Sequence, residues 1–353
     1  MSIKPARDPI HLLIAHNRSD IVSGAERVAA DLARELEPGF QTTMIVSGEG
    51  RLAEFYRQSG FPVWVWPMIS NRRLLPGLHT LRSRQAAQDL RAAGVDLALA
   101  NTFAAAGRWS KTFGYARLPY AVYLREYISD RPVNRQILER AGRILCVSQD
   151  LQRHIQRMTG PGSVFLAYDP IRPQPVLERI ERHRASGVRR LPFEPEMPVI
   201  GFAGRLTPSK QPHLLILAAR QVLEEIPQAR FAIIGAAQPK EHHYELALKK
   251  MVQDLGLGGK VAFLGQREDA RELISELAVL CLPSRNEPLG RVLLEAQLAG
   301  CPVVGASSGG IPEIIEDGVT GLLFSLAGDH PQPCAERARP EGRAGAAGRP
   351  EDL

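Results

Sequence analysis

Long apolar runs are missing from this 353-residue chain: none approaches the roughly 18–20 residues that a membrane-crossing helix needs. The N-terminal apolar stretch, His11 to Ala15, falls short of the roughly 7–15-residue core of a secretory signal, and no cleavage-like site follows it. Both absences point to a soluble, cytoplasmic protein. Cysteine is scarce, and its four copies make no disulfide framework. Cys146, Cys281 and Cys301 lie in or beside apolar runs, where a thiol acts as a small buried hydrophobe, and Cys334 stands alone near the end. No C-x-x-C pair and no histidine-rich cluster offers a structural zinc site. Adjacent His242 and His243 face different ways on a helix and read as solvated surface. No metal is therefore expected.

Lysine is nearly absent from the first half. Residues 1–195 hold 26 Arg and two Lys against 18 acidic residues, a net +10, whereas residues 196–353 net −4. A basic half joined to an acidic half suggests one domain facing something anionic. With 44% apolar and 23% charged residues the composition is that of a globular protein, which excludes collagen-like and wholly disordered classes. The length suits two domains of roughly 150 residues.

The chain alternates strand and helix. PIHLLIAH is an apolar run, followed by the amphipathic SGAERVAADLARELEPG, in which Val28, Leu32 and Leu36 recur every four residues until Pro38-Gly39 stops the helix. QTTMIVSG, FPVWVWP, VDLALAN, PYAVYLRE and RILCVSQ read as further strands, with helices over RLAEFYRQSG, Leu78 to Ala93 and VNRQILERAG. Prolines 173, 175, 192, 195 and 198 then punctuate a charged stretch with the composition of an exposed linker. The rhythm restarts at PVIGFAG and runs to TGLLF. The expected architecture is α/β: two tandem doubly wound domains at 8–175 and 197–326, joined by a linker over 176–196. From Ala327 to Leu353, 18 of 27 residues are Ala, Gly, Pro or Arg, so 327–353 reads as a disordered tail.

Several signatures are lacking. No G-x-x-x-x-G-K-[ST] loop, no Asp-x-Asp pair and no G-x-S-x-G elbow occurs. Gly48-Glu49-Gly50 approximates a dinucleotide fingerprint, but the next strand ends without an acidic residue to hold a ribose, so a plain strand-to-helix turn is the better reading. The sharper signal lies in the second half. Gly204-Arg205-Leu206 ends a strand, and Lys210 follows; Arg205 and Lys210 together can neutralise a diphosphate. A later strand ends in Ser284-Arg285-Asn286-Glu287-Pro288-Leu289-Gly290. Pro288 suits the first turn of a helix, whose free N–H groups near Leu289, Gly290 and Arg291 form an anion site. Glu295 interrupts an apolar run two turns along, where a carboxylate needs a hydroxyl or N–H partner.

Glu287-(x)7-Glu295, with GRLTPSK upstream and GGIPEIIEDGVTGLLF downstream, resembles the nucleotide-sugar-binding domain of glycosyltransferase family 4, retaining enzymes of the GT-B fold. Ser23-Gly24-Ala25-Glu26-Arg27 resembles that family's Gly-Gly-x-Glu loop, and RILCVSQ and LAYDPI fit its Val-x-x-Ser strand and Tyr-Asn-Pro segment. The resemblance spans roughly residues 8–326. It implies two Rossmann-like domains facing each other across a cleft, and a nucleoside-diphosphate-sugar donor with no further cofactor. Arg205 and Lys210 would hold the diphosphate, Glu287 the sugar hydroxyls, and Leu289 and Gly290 amides the sugar or β-phosphate. Glu295 would accept the ribose hydroxyls, backbone around Gln266 would meet the base, and Gly24 would let the first domain approach the diphosphate. The acceptor would be a glycan or lipid-linked saccharide of the cell envelope, with no nucleic acid involved.

Two departures stand out. Where many members carry a histidine beside the donor sugar, PYAVYLREY offers Arg125 and Glu126, either as contacts to sugar or acceptor or as a structural ion pair. The arginine-rich tail replaces the family's closing helices and resembles a truncated or frameshifted reading. A sugar-nucleotide epimerase of the same fold, or a non-catalytic remnant that only binds nucleotide sugar, are the rival expectations. Arg72, Arg73, Arg82, Arg84 and Arg91 beside Leu74, Leu75, Leu78 and Leu81 suggest contact with an anionic membrane face, against a plain solvated basic surface.

Overall fold

A computed structural model describes residues 9–20, 24–67 and 76–326. The reading of 327–353 as a disordered tail therefore lies outside the described residues, as do Ser23, Arg72, Arg73, Leu74 and Leu75. Seven strands form the first sheet: β1 (Ile10–Ala15), β2 (Phe40–Val46), β3 (Val63–Val65), β4 (Leu97–Ala100), β5 (Tyr120–Leu124), β6 (Arg143–Cys146) and β7 (Val164–Leu166). Six form the second: β8 (Val199–Ala203), β9 (Arg230–Ile234), β10 (Val261–Gly265), β11 (Val279–Leu282), β12 (Val303–Ala306) and β13 (Leu322–Phe324). All named pairings are parallel, in the orders β3-β2-β1-β4-β5-β6-β7 and β10-β9-β8-β11-β12-β13.

The crossovers are α1 (Gly24–Glu35), α2 (Arg51–Gln58), α3 (Pro76–Ala92), α4 (Phe103–Ala116), α5 (Pro132–Glu139) and α6 (Gln149–Thr159) in the first domain. α7 (Pro173–Ser186) leads to the second, with α8 (Pro212–Glu225), α9 (His242–Asp254), α10 (Ala270–Ser275) and α11 (Arg291–Leu298). Because helices cover both faces, strands such as Leu12–Ala15 and Phe231–Ile234 are apolar at consecutive positions and buried throughout. Each sheet has its own core, so the chain is a two-domain α/β protein of the expected GT-B kind. No described helix is long and apolar enough to cross a membrane.

The stretch expected to be an exposed linker is different. Residues 173–186 form α7, and Val176 and Ile180 are buried in the second core, with Leu191 beyond the helix. Pro173 and Pro175 sit at the start of the helix, where a missing N–H costs nothing, and that is why the prolines do not break it. Polar contacts on and beside that face hold it: Arg179 pairs with Glu272, His183 with Glu276 at 2.7 Å, and Arg184 donates to the Ala299 carbonyl at 2.6 Å. α4 and α6 are also helices beyond those read from the sequence. Cys146 and Cys301 are buried free thiols, pushed by burial to about 12 and about 11.

Candidate active site

In a doubly wound sheet a ligand crevice opens at the carboxyl ends of the strands where their order reverses. In the second sheet that point lies between β8 and β11, and the segments leaving these strands contain Arg205, Lys210 and Glu287. The topology thus brings together the two loops that the sequence separates by some eighty residues. Arg285 N donates to the Ser209 carbonyl at 2.8 Å, and Lys210 Nζ donates to the Glu287 carboxylate. A third loop, after β12, joins them: Gly310 N donates to the Glu287 carbonyl at 2.7 Å, and Asn286 N to Ser308 Oγ at 2.8 Å. The Glu287 side chain is 7% exposed and that of Lys210 24%, so a nearly dry carboxylate rests on one ammonium. Arg205 is exposed and makes no ion pair among the described residues; its charge reaches Glu126 in the first domain.

One local expectation is corrected. Pro288 is not in the first turn of a helix: α11 begins at Arg291, because Gly290 takes a left-handed backbone (φ 92°) that an L side chain would strain. Gly290 caps α11 without a side chain, so no side-chain oxygen fills the helix's amino end. Leu289 buries its side chain in the first domain's core although it belongs to a second-domain loop.

Glu295 has the partners its burial demanded. Arg271 Nη2 donates to Oε1 at 2.9 Å, and Arg291 Nε lies 3.6 Å from the same oxygen. Among the described residues neither arginine engages Oε2, which leaves one carboxylate oxygen for a hydroxyl donor. Arg291 also bridges the domains, donating to Asp31 at 2.9 Å and to the Pro170 carbonyl at 3.0 Å. Gln266 is exposed just beyond β10.

Across the cleft, Gly24 opens α1 and is exposed; a Cβ built there meets nothing within 4 Å. Arg27, one turn on, has its pKa lowered by desolvation and by the charges of Arg271 and Arg179, with Glu295 and Glu268 opposing, so it shares the cleft with the Glu295 cluster. Behind the loop after β1, His16 is buried and bonded to the Tyr56 hydroxyl at 3.0 Å. Desolvation, then the Arg125 charge, lower its pKa to about 3, so the ring is neutral.

Arg125 is engaged in scaffolding. It pairs with Asp169 at 2.6 Å, donates to the Asn101 carbonyl at 2.8 Å and Asn101 Oδ1 at 2.9 Å, and stacks 3.7 Å over the Tyr123 ring. Glu126 is exposed; desolvation raises its pKa, with the charge of Arg205 opposing. On α3, Leu81 is 68% exposed, Arg84 lies 5.4 Å over the Tyr115 ring and Arg91 donates to the Tyr115 carbonyl at 2.6 Å.

Residues 187–330 match the family Glycosyl transferases group 1. That match takes in the second sheet and its helices from α8 to α11. Curated relatives named D-inositol 3-phosphate glycosyltransferase align with the chain. That of Kribbella flavida is 33% identical over 200 residues, 53% of this chain and 46% of that protein. That of Nocardia farcinica is 30% identical over 210 residues, 57% of this chain and 46% of that protein. The chain thus spans about half the length of the curated relatives it matches. Among solved structures, Anabaena Alr3699/HepE in complex with UDP and glucose is 26% identical, with a TM-score of 0.75 over 89% of this chain and 85% of that one. A glycosyltransferase from Rickettsia africae, 16% identical with a TM-score of 0.70, covers 92% of this chain and 86% of that one, and shares the fold.

The second domain supplies Arg205, Lys210, Gln266, Glu287, Leu289, Gly290 and Glu295, while Gly24, Arg125 and Glu126 come from the first domain. The side chains of Arg271, Arg291 and Arg27 are the cleft groups that sequence reasoning did not assign, Arg291 having been named for its backbone N–H alone. The demand of Glu295 for N–H donors was the signal for the first two; Arg291, four residues before it on α11, follows from helical spacing, whereas nothing along the chain named Arg271.

Proposed function

We propose that the protein is a retaining glycosyltransferase that moves a sugar from a nucleoside-diphosphate sugar to a hydroxyl acceptor. The observation that carries this reading is the Lys210–Glu287 pair at the strand-order reversal of a glycosyl transferases group 1 domain. Lys210 and Arg205 would stabilise charge on the departing diphosphate, work that a preorganised cation in a partly dry site does well. Glu287, held in place by Lys210, would accept hydrogen bonds from donor-sugar hydroxyls. Glu295 would accept the ribose hydroxyls through Oε2, oriented by Arg271 and Arg291, and backbone around Gln266 would meet the base. Gly24 would let the α1 backbone approach the diphosphate, and the empty space at its Cβ position supports that role. The C1–O bond to the diphosphate breaks as the acceptor oxygen bonds to C1 on the same face, with the leaving phosphate oxygen taking the acceptor proton. No protein nucleophile is needed in this scheme. The side-chain cations take the place of a metal, and no further cofactor enters.

The HepE complexes with UDP and UDP-glucose support uridine donors as the first to try, and the relatives' names support an inositol phosphate beside envelope glycans and lipid-linked saccharides as acceptor. Glu126 is the acceptor-side candidate. The test is nucleotide release from a panel of donors. Release with one donor, lost in Lys210→Ala and Glu287→Gln, is the expected result; release unchanged in both variants overturns the assignment.

The first domain's charge and the exposed Leu81 beside Arg82 and Arg84 on α3 support peripheral contact with an anionic membrane at the cytoplasmic face. Sedimentation at low salt with anionic vesicles, and not with neutral ones, is expected. Equal recovery from both would return α3 to an ordinary solvated face.

A further inference from the structure

α6 begins inside the first domain, yet a residue of the second completes its cap. Ser148 accepts from Leu151 N at 3.1 Å, satisfying one free donor of the first turn. The donors of Gln149 and Asp150 go to Glu313, at 2.9 Å and 3.0 Å, one to each carboxylate oxygen. Tyr168, also of the first domain, donates to the same carboxylate at 2.8 Å. Three donors of one domain thus converge on one anion of the other, at a helix terminus that favours negative charge.

Glu313 ends the short turn Ile311–Glu313 that follows Gly309 and Gly310. This is the loop that holds the Glu287 carbonyl through Gly310 N. A Cβ at Gly310 would lie 2.6 Å from the Pro288 oxygen, 2.9 Å from Leu289 Cα and 3.0 Å from Ser148 Cβ. No side chain fits there, and the backbone joins the Glu287 loop directly to the start of α6. Leu289 presses into the first core from the same loop. The charges of Glu287 and Glu313 both reach the Tyr127 hydroxyl, which donates to Asp150.

We propose that Glu313 is a positioning residue: its carboxylate latches the second domain onto α6, and through Gly310 that latch sets the Glu287 loop against Lys210. The role rests on the transferase reading for its consequence in turnover, while the latch itself does not. A donor bound to an unlatched protein would meet Arg205 and Glu295 but a Glu287 loop free to shift. The nucleotide portion should therefore bind almost normally while transfer slows.

Three variants and two measurements test this. Small-angle scattering of the full chain without ligand reads the latch alone. Glu313→Ala should raise the radius of gyration, Glu313→Gln should recover part of the wild-type profile, and Ser148→Ala should lower the melting temperature without changing the profile. Donor turnover and calorimetric UDP binding read the consequence. Glu313→Ala should lower kcat at least tenfold with the UDP Kd within about threefold of wild type, since a factor of ten is about 1.4 kcal/mol of transition-state positioning. A wild-type scattering profile in Glu313→Ala overturns the latch. An opened profile with unchanged kcat overturns the positioning role. A wild type that binds no nucleoside diphosphate overturns the transferase reading and leaves the scattering result standing.

Discussion

Lys210 and Arg205 carry the same charge into the same cleft, but only Lys210 is tied into the fold. Removing its ammonium leaves the Glu287 carboxylate nearly dry and unpaired, and breaking such a pair costs about 3 kcal/mol. Lys210→Ala should therefore lower both stability and turnover, whereas Arg205→Ala, at an exposed site, should change stability by no more than about 0.5 kcal/mol while slowing turnover. Urea unfolding beside a donor assay separates the two, and equal destabilisation would contradict the pairing. His16 gives a pH signature. Its folded pKa of about 3 lies below the ordinary 6.5, so the unfolded chain binds a proton that the native state refuses. Its contribution is complete above about pH 6.5 and is lost at roughly 1.4 kcal/mol per unit as pH falls toward 3. Acid titration of stability should show a shallower loss over that window in His16→Gln, relative to its own neutral value.

At the scale of elements, α7 and the start of α1 behave in opposite ways. Ile180 is 1% exposed in the second core, so Ile180→Ala should cost about 2–4 kcal/mol by denaturant unfolding. A cost near zero would return 173–186 to the status of a tether. Gly24 opens a helix into empty space, so Gly24→Ala should leave the melting temperature unchanged or slightly raised. The added methyl would nonetheless occupy the approach to the diphosphate, and the UDP Kd should rise severalfold. An unchanged Kd would move the diphosphate away from α1. α4 escaped the sequence reading because Phe103-Ala-Ala-Ala-Gly is small and weakly patterned. α6 was missed too, although its signals are local: Ser148 is its cap, and Leu151, Ile155 and Met158 follow at helical spacing.

For the whole molecule, two cores joined by a handful of polar bridges and by Leu289 and Ile314 make a chain that need not melt as one unit. Calorimetry should resolve two overlapping transitions. UDP at a hundred times its Kd should raise the second domain's stability by about 2.7 kcal/mol and move the first domain far less. A single sharp transition that shifts as a whole would show that Glu313, Arg291 and Leu289 couple the domains more tightly than their number implies.

The order of strands and helices, the two-domain plan, and the placing of Arg205, Lys210 and Glu287 at strand ends were all written in local pattern: apolar runs, caps and glycines act within a few residues of themselves. Partnership was not. Glu295 announced a need for donors; Arg291 stands one turn before it on α11, but Arg271 answers only because α10 packs beside α11. The prolines of 173–198 looked like a tether until Val176 and Ile180 found an apolar surface to cover. Glu313 carried no signal along the chain, and it meets α6 more than 160 residues away because the two domains come into contact there. Local chemistry is readable along the chain; which distant groups satisfy it depends on strand order and domain apposition, and only the folded structure determines those.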